Sequence, residues 1–445
     1  MSASPLRNPY IVGGWVSGNA FYGRIALRYN LLHDPNRQLW VVGTRRVGKT
    51  SLLRQLILDA GEAFVPLYWD MQACETADDL DEELYYALEE QSARLQELGV
   101  DIAGLRGSDF RQILFTVARA AEGRQRDVLL LIDEPEVLLE IGRQQDVILR
   151  RLRSVFQRHE NLRVILSSTK VFARINEITR YWETSTFLQD FAPRNLAGLE
   201  PVEAEALVRQ VQGPQRVEAD PKTLETILHH TGRHPYLLQW LCRRLYQEDG
   251  RLRRPGEDDL RPDGNLNSLF EVSYKHLSEI ERRILHHLAV AGSDDEAGLS
   301  QALNMDGADL RLYLYALDRM GYTREVDGRI LPGNSFLASW LRANQASLPI
   351  TGAEIADGWV AEVAVHGQQQ ERLYWQQQLQ TYRTNLARLE MQAANYGMSP
   401  PLSLLNDIDF HRQKIQEVER RLDSLAAYTE SARKRSSSRP EPMSF

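Results

Sequence analysis

Gly43-Thr44-Arg45-Arg46-Val47-Gly48-Lys49-Thr50 is the stretch on which the fold of this chain turns. It fits G-x-x-x-x-G-K-[ST], and its surroundings make the match informative. Gln38–Val42 before it reads as a short apolar strand, and Ser51–Ala60 after it has helical spacing. Glycines let the backbone curl so that successive N–H groups point at phosphate oxygens, and the start of the following helix adds positive dipole. Lys49 is placed to reach the β- and γ-phosphates, and the Thr50 hydroxyl to ligate Mg2+. Gly43 through Ser51 are therefore candidate nucleotide-binding residues, with ATP/ADP and Mg2+ as the expected ligands.

A second element lies some eighty residues downstream. Val128–Ile132 is a continuous apolar run, the mark of a strand buried on both faces, and it delivers Asp133-Glu134 at its C-terminal end. That edge of a parallel sheet is where ligands bind. Asp133 is placed to complete the magnesium shell and Glu134 to accept a proton from the attacking water. Ala63–Trp69 and Arg163–Leu166 read as further strands, with helical stretches at Leu80–Leu98, Phe110–Ala121 and Ile148–Phe156 between them. Strands alternating with helices imply a parallel sheet. Ser168 and Thr169 follow the fourth strand and are candidate sensors of the γ-phosphate.

Composition sets the class. The chain has 445 residues, enough for roughly three domains of ordinary size. It is 43% hydrophobic and 26% charged, which excludes wholesale disorder. With 61 acidic against 53 basic residues the net charge is −8, opposite to a chain built to coat nucleic acid or an anionic membrane. Its longest apolar run is far short of the ~20 residues that span a bilayer, and residues 1–20 carry only Arg7 as a basic residue and no apolar secretory core. Cys74 and Cys242 make no disulfide framework and read as core thiols of a reducing, cytoplasmic compartment.

The expected organisation is an N-terminal segment at 1–36, an α/β core with a parallel sheet at 37–200 and an all-α lid at 201–267. A winged helix follows at 268–345, where three helical patterns lead into a hairpin turned by Asp327-Gly328, a preferred type I′ pair. After a linker at 346–370, Trp375, Leu379, Tyr382, Leu386, Leu389, Ala393 and Tyr396 step by four and three. Leu404, Ile408, His411, Ile415, Val418, Leu422 and Leu425 repeat the pattern beyond a breaker at Gly397 and Pro400-Pro401. Two such seams predict a coiled-coil-like antiparallel helical hairpin at 371–428, followed by a disordered tail at 429–445.

With these motifs in place, residues 8 to 343 resemble the signal-transduction ATPases with numerous domains (STAND), AAA+-related P-loop ATPases, near their novel bacterial and archaeal-type branches. Asn8-Pro9-Tyr10 with Phe21-Tyr22-Gly23-Arg24 is similar to the family segment that helps hold adenine, which implies nucleotide contacts for Tyr22, Gly23 and Arg24. The family has an acidic residue after that arginine, where Ile25 stands here. Thr44–Leu53 is close to the family P-loop and Asp133-Glu134 to its Walker B ending. Thr231–Gln239 is similar to the lid's Gly-x-Pro region, which implies that Pro235 packs near the adenine; Arg233 stands where the family has glycine. The resemblance implies a fold of the α/β P-loop NTPase class, with lid and winged helix closing over nucleotide whose state governs assembly.

The expected function is thus an ATP-binding, ATP-hydrolysing switch, with catalytic Lys49 and Glu134, that self-associates in a nucleotide-dependent way and works with a separate effector or sensor protein. A DNA-associated AAA+ ATPase is the competing expectation. The helical stretch Asp306–Met320 disfavours it, because three aspartates face two arginines where a major-groove reader carries net positive charge.

Overall fold

Five parallel strands, hydrogen-bonded in the order β2-β3-β4-β1-β5, organise the P-loop region: β1 (Gln38–Gly43), β2 (Phe64–Asp70), β3 (Asp127–Asp133), β4 (Leu162–Ser168) and β5 (Ala192–Leu196). Between them run α1 (Ile25–His33) ahead of β1, α2 (Lys49–Asp59), α3 (Ala77–Glu90), α4 (Ser92–Glu97), α5 (Phe110–Glu122), α6 (Leu138–Gln144), α7 (Asp146–Arg158) and α8 (Ile175–Thr179). This computed structural model describes residues 7–183, 185–352, 357–395 and 401–436. The chain falls into two units, Met1–Asp295 with Leu317–Asp357, and Glu296–Ala316 with Gly358–Phe445.

The sheet belongs to the first unit. On one face Leu39, Val41, Leu129, Leu131 and Ile165 pack against Leu52, Leu53 and Leu56 of α2, all fully buried. Each such leucine contributes roughly 2 kcal/mol of burial, which anchors the helix that carries the P-loop lysine. The expected strands at Gln38, Ala63, Val128 and Arg163 all form, and the parallel α/β fold class is as the alternation of elements implied. β5 was not legible: Ala-Pro-Arg-Asn-Leu has no apolar run, because Arg194 spends its charge on a buried ion pair with Asp34. The expected helix at Leu80–Leu98 is broken at Gln91 into α3 and α4.

After β5 come α9 (Pro201–Val208), α10 (Pro221–Thr231), α11 (Pro235–Leu245), α12 (Gly264–Lys275) and α13 (Glu279–Ala291). Pro235 opens α11 at its first turn, where a missing N–H costs nothing. The segment between α11 and α12 is tied down by bridges Glu218↔Arg251 and Tyr246↔Leu252. The hairpin β6 (Thr323–Val326) and β7 (Arg329–Pro332) turns through Asp327 and Gly328 with φ +50° and +73°, as a type I′ turn requires. α16 (Ser335–Asn344) closes this unit against α10 and α13. Four glycines form a seam here. A Cβ at Gly198 would lie 2.7 Å from the Gly232 carbonyl oxygen, one at Gly232 2.1 Å from that of Gly333, and one at Gly333 2.0 Å from that of Gly321.

The second unit holds α14 (Glu296–Leu303), most of α15 (Gly307–Arg319), α17 (Asp357–Asn395) and α18 (Leu402–Ser436). Leu312 and Tyr315 of α15 share a buried cluster with Ala364 and Leu425, and Trp375 packs beside it. Arg383–Glu419 and Arg412–Glu390 ion pairs run in opposite sequence directions, so α17 and α18 are antiparallel. Boundaries shift accordingly. The segment expected as one domain at 268–345 is divided between the units, the linker at 346–370 becomes helical from Asp357, and α18 continues past 428 to Ser436. The breaker residues Gly397 and Pro400, the seam end Tyr396 and tail residues 437–445 lie outside the described residues.

Candidate active site

The carboxyl edge of the sheet opens into a cleft of about 520 Å³, lined by Arg45 through Ser51 of the P-loop, by Asp133 and Glu134, and by Tyr22, Arg24 and Pro235. Backbone geometry explains the loop. Gly48 sits at φ +102°, and a Cβ on Gly43 would come within 2.7 Å of Val47 and 3.1 Å of the Leu196 carbonyl of β5. Gly43 and Thr44 do not line the cleft; their carbonyls accept from Lys49 Nζ at 3.3 and 3.1 Å. Lys49 is buried, which lowers its pKa, while Glu134, Glu136 and Asp133 pull the other way. The Val16 amide donates to Ser51 Oγ at 3.0 Å, holding the N-terminal segment across the start of α2.

Asp133 is buried at the tip of β3, opposite Asp70 on β2 and Ser167 on β4. Its carboxylate accepts from the Tyr68 hydroxyl at 2.9 Å and from the Glu134 amide at 3.2 Å, and the Thr50 hydroxyl lies close enough to favour its charged form. Burial raises its pKa, and these donors counter it. Glu134 adopts the left-handed conformation at φ +51°, which costs a bulky residue about 1–2 kcal/mol and turns the chain sharply into Pro135. Burial, then the neighbouring Glu136 carboxylate, push the Glu134 pKa up.

The expected sensors are placed differently. Ser168 points to the sheet face away from α2, where its hydroxyl accepts from the Trp40 indole at 2.6 Å and donates to the Thr169 carbonyl at 3.0 Å. Strand alternation puts Ser167, not Ser168, on the face of Val41 and α2. Thr169 is engaged by Glu136, whose Oε1 accepts from the Thr169 amide at 2.7 Å and hydroxyl at 2.8 Å. Neither Ser168 nor Thr169 lines the cleft. Glu136 was missed; only its place two residues beyond Glu134, past a proline that bends the chain, pointed to it. Its second oxygen is buried without a hydrogen-bond partner.

The adenine-side residues also sort themselves. Arg24 spends its guanidinium on the carbonyls of Gly198, at 2.9 Å, and Ala197, while Glu203 accepts from its amide at 2.7 Å. Burial lowers its pKa to about 10. Gly23 lies against the Glu203 side chain, not in the cleft, and the Tyr22 hydroxyl accepts from the Gln212 amide at 3.3 Å. Arg233, where the resembling family has glycine, takes φ +59°, the conformation a glycine adopts without strain. Arg46 of the P-loop stacks over Tyr236 of α11 at 4.5 Å.

One ion pair and one electrostatic influence link this edge to the segment around α13. Lys170, next to Thr169, pairs with Glu281, whose side chain is 1% exposed and also accepts from the Ser278 amide at 2.8 Å. His276, between α12 and α13, has its pKa pushed down to about 4 by burial and then by Lys170, Arg45 and Lys49. No motif in the sequence marks either residue.

Phosphate-directed loop, buried lysine and carboxylate-tipped strand on a parallel sheet define an α/β P-loop NTPase. Residues 33–175 match the AAA domain family. No curated protein sequence matches the chain significantly. Among solved structures, a Walker-type ATPase of Pyrococcus abyssi aligns at 14% identity and TM-score 0.48 over 72% of this chain and 96% of its own. The ORC2 protein of Aeropyrum pernix, in ADPNP–ADP complexes, aligns at 16% and 0.39 over 72% and 93%, and the ORC1 protein of the same organism, in complex with DNA, at 13% and 0.34 over 74% and 94%. No TM-score here reaches 0.5, and no residue role passes from these proteins to this chain. Among the described residues, no helix is long and apolar enough to cross a membrane.

Proposed function

We propose that this chain is an ATP-binding, ATP-hydrolysing switch of STAND type. Its nucleotide state would set the conformation of a helical lid and winged helix and, through them, self-association and engagement of a separate effector or sensor protein. The observation that carries this reading is the convergence of Lys49, Thr50, Asp133 and Glu134 on one cleft that Pro235 and Tyr236 of α11 also line. Lys49 and the P-loop amides bind the phosphates, while Tyr22 and Pro235 bound the side of the cleft assigned to adenine.

Thr50 and Asp133 would hold Mg2+. Their hydroxyl–carboxylate pair is an oxygen donor set suited to that ion. Bound there, magnesium neutralises charge on the phosphates. Glu134 takes a proton from water as the water oxygen bonds to the γ-phosphorus and the bond from that phosphorus to the bridging oxygen breaks, leaving ADP and phosphate. The switch half is supported by Arg46 on Tyr236 and by Lys170 on Glu281, since each joins the catalytic edge to an element beyond the sheet.

Glu134→Gln is expected to retain ATP binding while turnover falls by about 10²–10³-fold; hydrolysis at the wild-type rate in a phosphate-release assay would remove Glu134 as the base. Light scattering on protein without nucleotide, with ADP and with a non-hydrolysable ATP analogue tests assembly. One mass in all three states would discard that half of the proposal.

A further inference from the structure

Outside the cleft, α7 carries a run of arginines along its exposed face. Its inner face buries Ile148, Leu149, Leu152 and Phe156, and its outer face exposes Arg150, Arg151, Ser154 and Arg158. Arg150 to Arg158 spans about 12 Å of helix. Arg150 pairs with Asp146 and Arg153 with Asp190, both at 3.0 Å, whereas Arg151 and Arg158 have no acidic partner among the described residues. A hollow flanks the ridge on each side. One, of about 230 Å³, contains Arg111, Phe115 and His159 beside the α7 arginines and no acidic residue. The other, of about 770 Å³, is bounded by Tyr181 and Trp182, with Glu183 its one acid.

Both hollows present aromatic surface. Phe115 is 41% exposed and lies 5.7 Å from the His159 ring; Tyr181 is 61% exposed beside Trp182, over which Arg150 sits at 5.4 Å. In a chain with net charge −8, a ridge of arginines between two aromatic hollows departs sharply from the whole. Each chemistry selects a partner. The ridge suits a run of phosphates. The rings suit unstacked bases, which a duplex keeps stacked inside itself and an acidic peptide does not have.

We propose that α7 and its two hollows bind single-stranded nucleic acid, with phosphates on Arg150, Arg151 and Arg158 and bases against Phe115 and Tyr181. The site is separate from the nucleotide cleft and goes beyond the switch reading, so either can fail alone. The test is fluorescence anisotropy of the full chain with labelled oligothymidylate and oligouridylate of about 20 nucleotides and with a duplex of equal length, each titrated with salt. Single strands are expected to bind at least tenfold tighter than the duplex, and the two oligonucleotides separate DNA from RNA as the ligand.

Arg151→Glu with Arg158→Glu should weaken single-strand binding at least tenfold and lower the salt slope by about 1.4, two phosphate contacts at ~0.7 each. Phe115→Ala or Tyr181→Ala should weaken it about five- to tenfold at an unchanged slope. Both arginines are exposed, so unaltered ATP binding and melting temperature report an intact fold. The proposal is overturned by equal affinity for duplex, by the double variant binding like wild type, or by equal displacement with polyglutamate or anionic vesicles. A change of assembly mass in the double variant without loss of oligonucleotide binding would overturn it too, marking α7 as a contact between copies.

Discussion

The nucleotide cleft and the α7 ridge both gather cationic side chains, by opposite means. In the cleft, Lys49 is buried, held by two P-loop carbonyls and balanced by Asp133, Glu134 and Glu136. On the ridge, Arg151 and Arg158 stand in solvent with no acid against them among the described residues. A buried cation needs partners fixed by the backbone, so its site is rigid and selective; an exposed one costs nothing to hold and binds through field and counterion release. The first arrangement suits one phosphate chain in one pose, the second a polymer in many registers.

The largest effect that can separate the regions is Lys49→Ala. It is expected to weaken nucleotide binding at least a hundredfold in a calorimetric titration while leaving oligonucleotide anisotropy unchanged; loss of both would mean that the two regions are one site. Next is Glu136→Ala. Removing this acceptor leaves the Thr169 amide and hydroxyl without their partner, a cost of about 2 kcal/mol, and kcat is expected to fall about tenfold with little change in KM. An unchanged kcat would make Glu136 a purely structural brace.

The smallest effect concerns pH. His276 and His234 are pushed down to about 4 in the folded chain, against about 6.5 when unfolded. Below about 6.5 the unfolded chain therefore binds protons that the folded chain refuses, and stability falls as pH drops from there towards about 4. Thermal melts across that window should show the decline, shallower in His276→Gln. A His276→Gln slope equal to wild type would place the proton uptake elsewhere.

How much of this was legible follows from the same contrast. Lys49, Thr50, Asp133 and Glu134 could be read because a backbone turn and a buried strand fix their spacing along the chain. The facing of Ser168 was not legible because apolar residues mark a strand wherever its two faces are covered, whereas which hydroxyl faces α2 depends on pairing with β1. Glu136, Tyr68 and His276 reach the catalytic edge through a proline bend, a neighbouring strand and a segment far downstream, and no local pattern encodes such meetings. The ridge is dispersed further still: Arg111, Arg158 and Tyr181 come from separate elements. β5 was hidden because Pro193, Arg194 and Asn195 give it no apolar signature.

The glycine seam at 198, 232, 333 and 321 gives the region an unusual mechanical property. Where most packed elements interlock through side chains, the end of β5, the turn into α11 and the loops flanking the hairpin meet backbone to backbone. Nothing in that joint can change rotamer to absorb a misfit. Its spacing is set by the peptide group alone, so a single added methyl, such as Gly333→Ala, acts as a wedge of known thickness driven between the two loops that flank the hairpin.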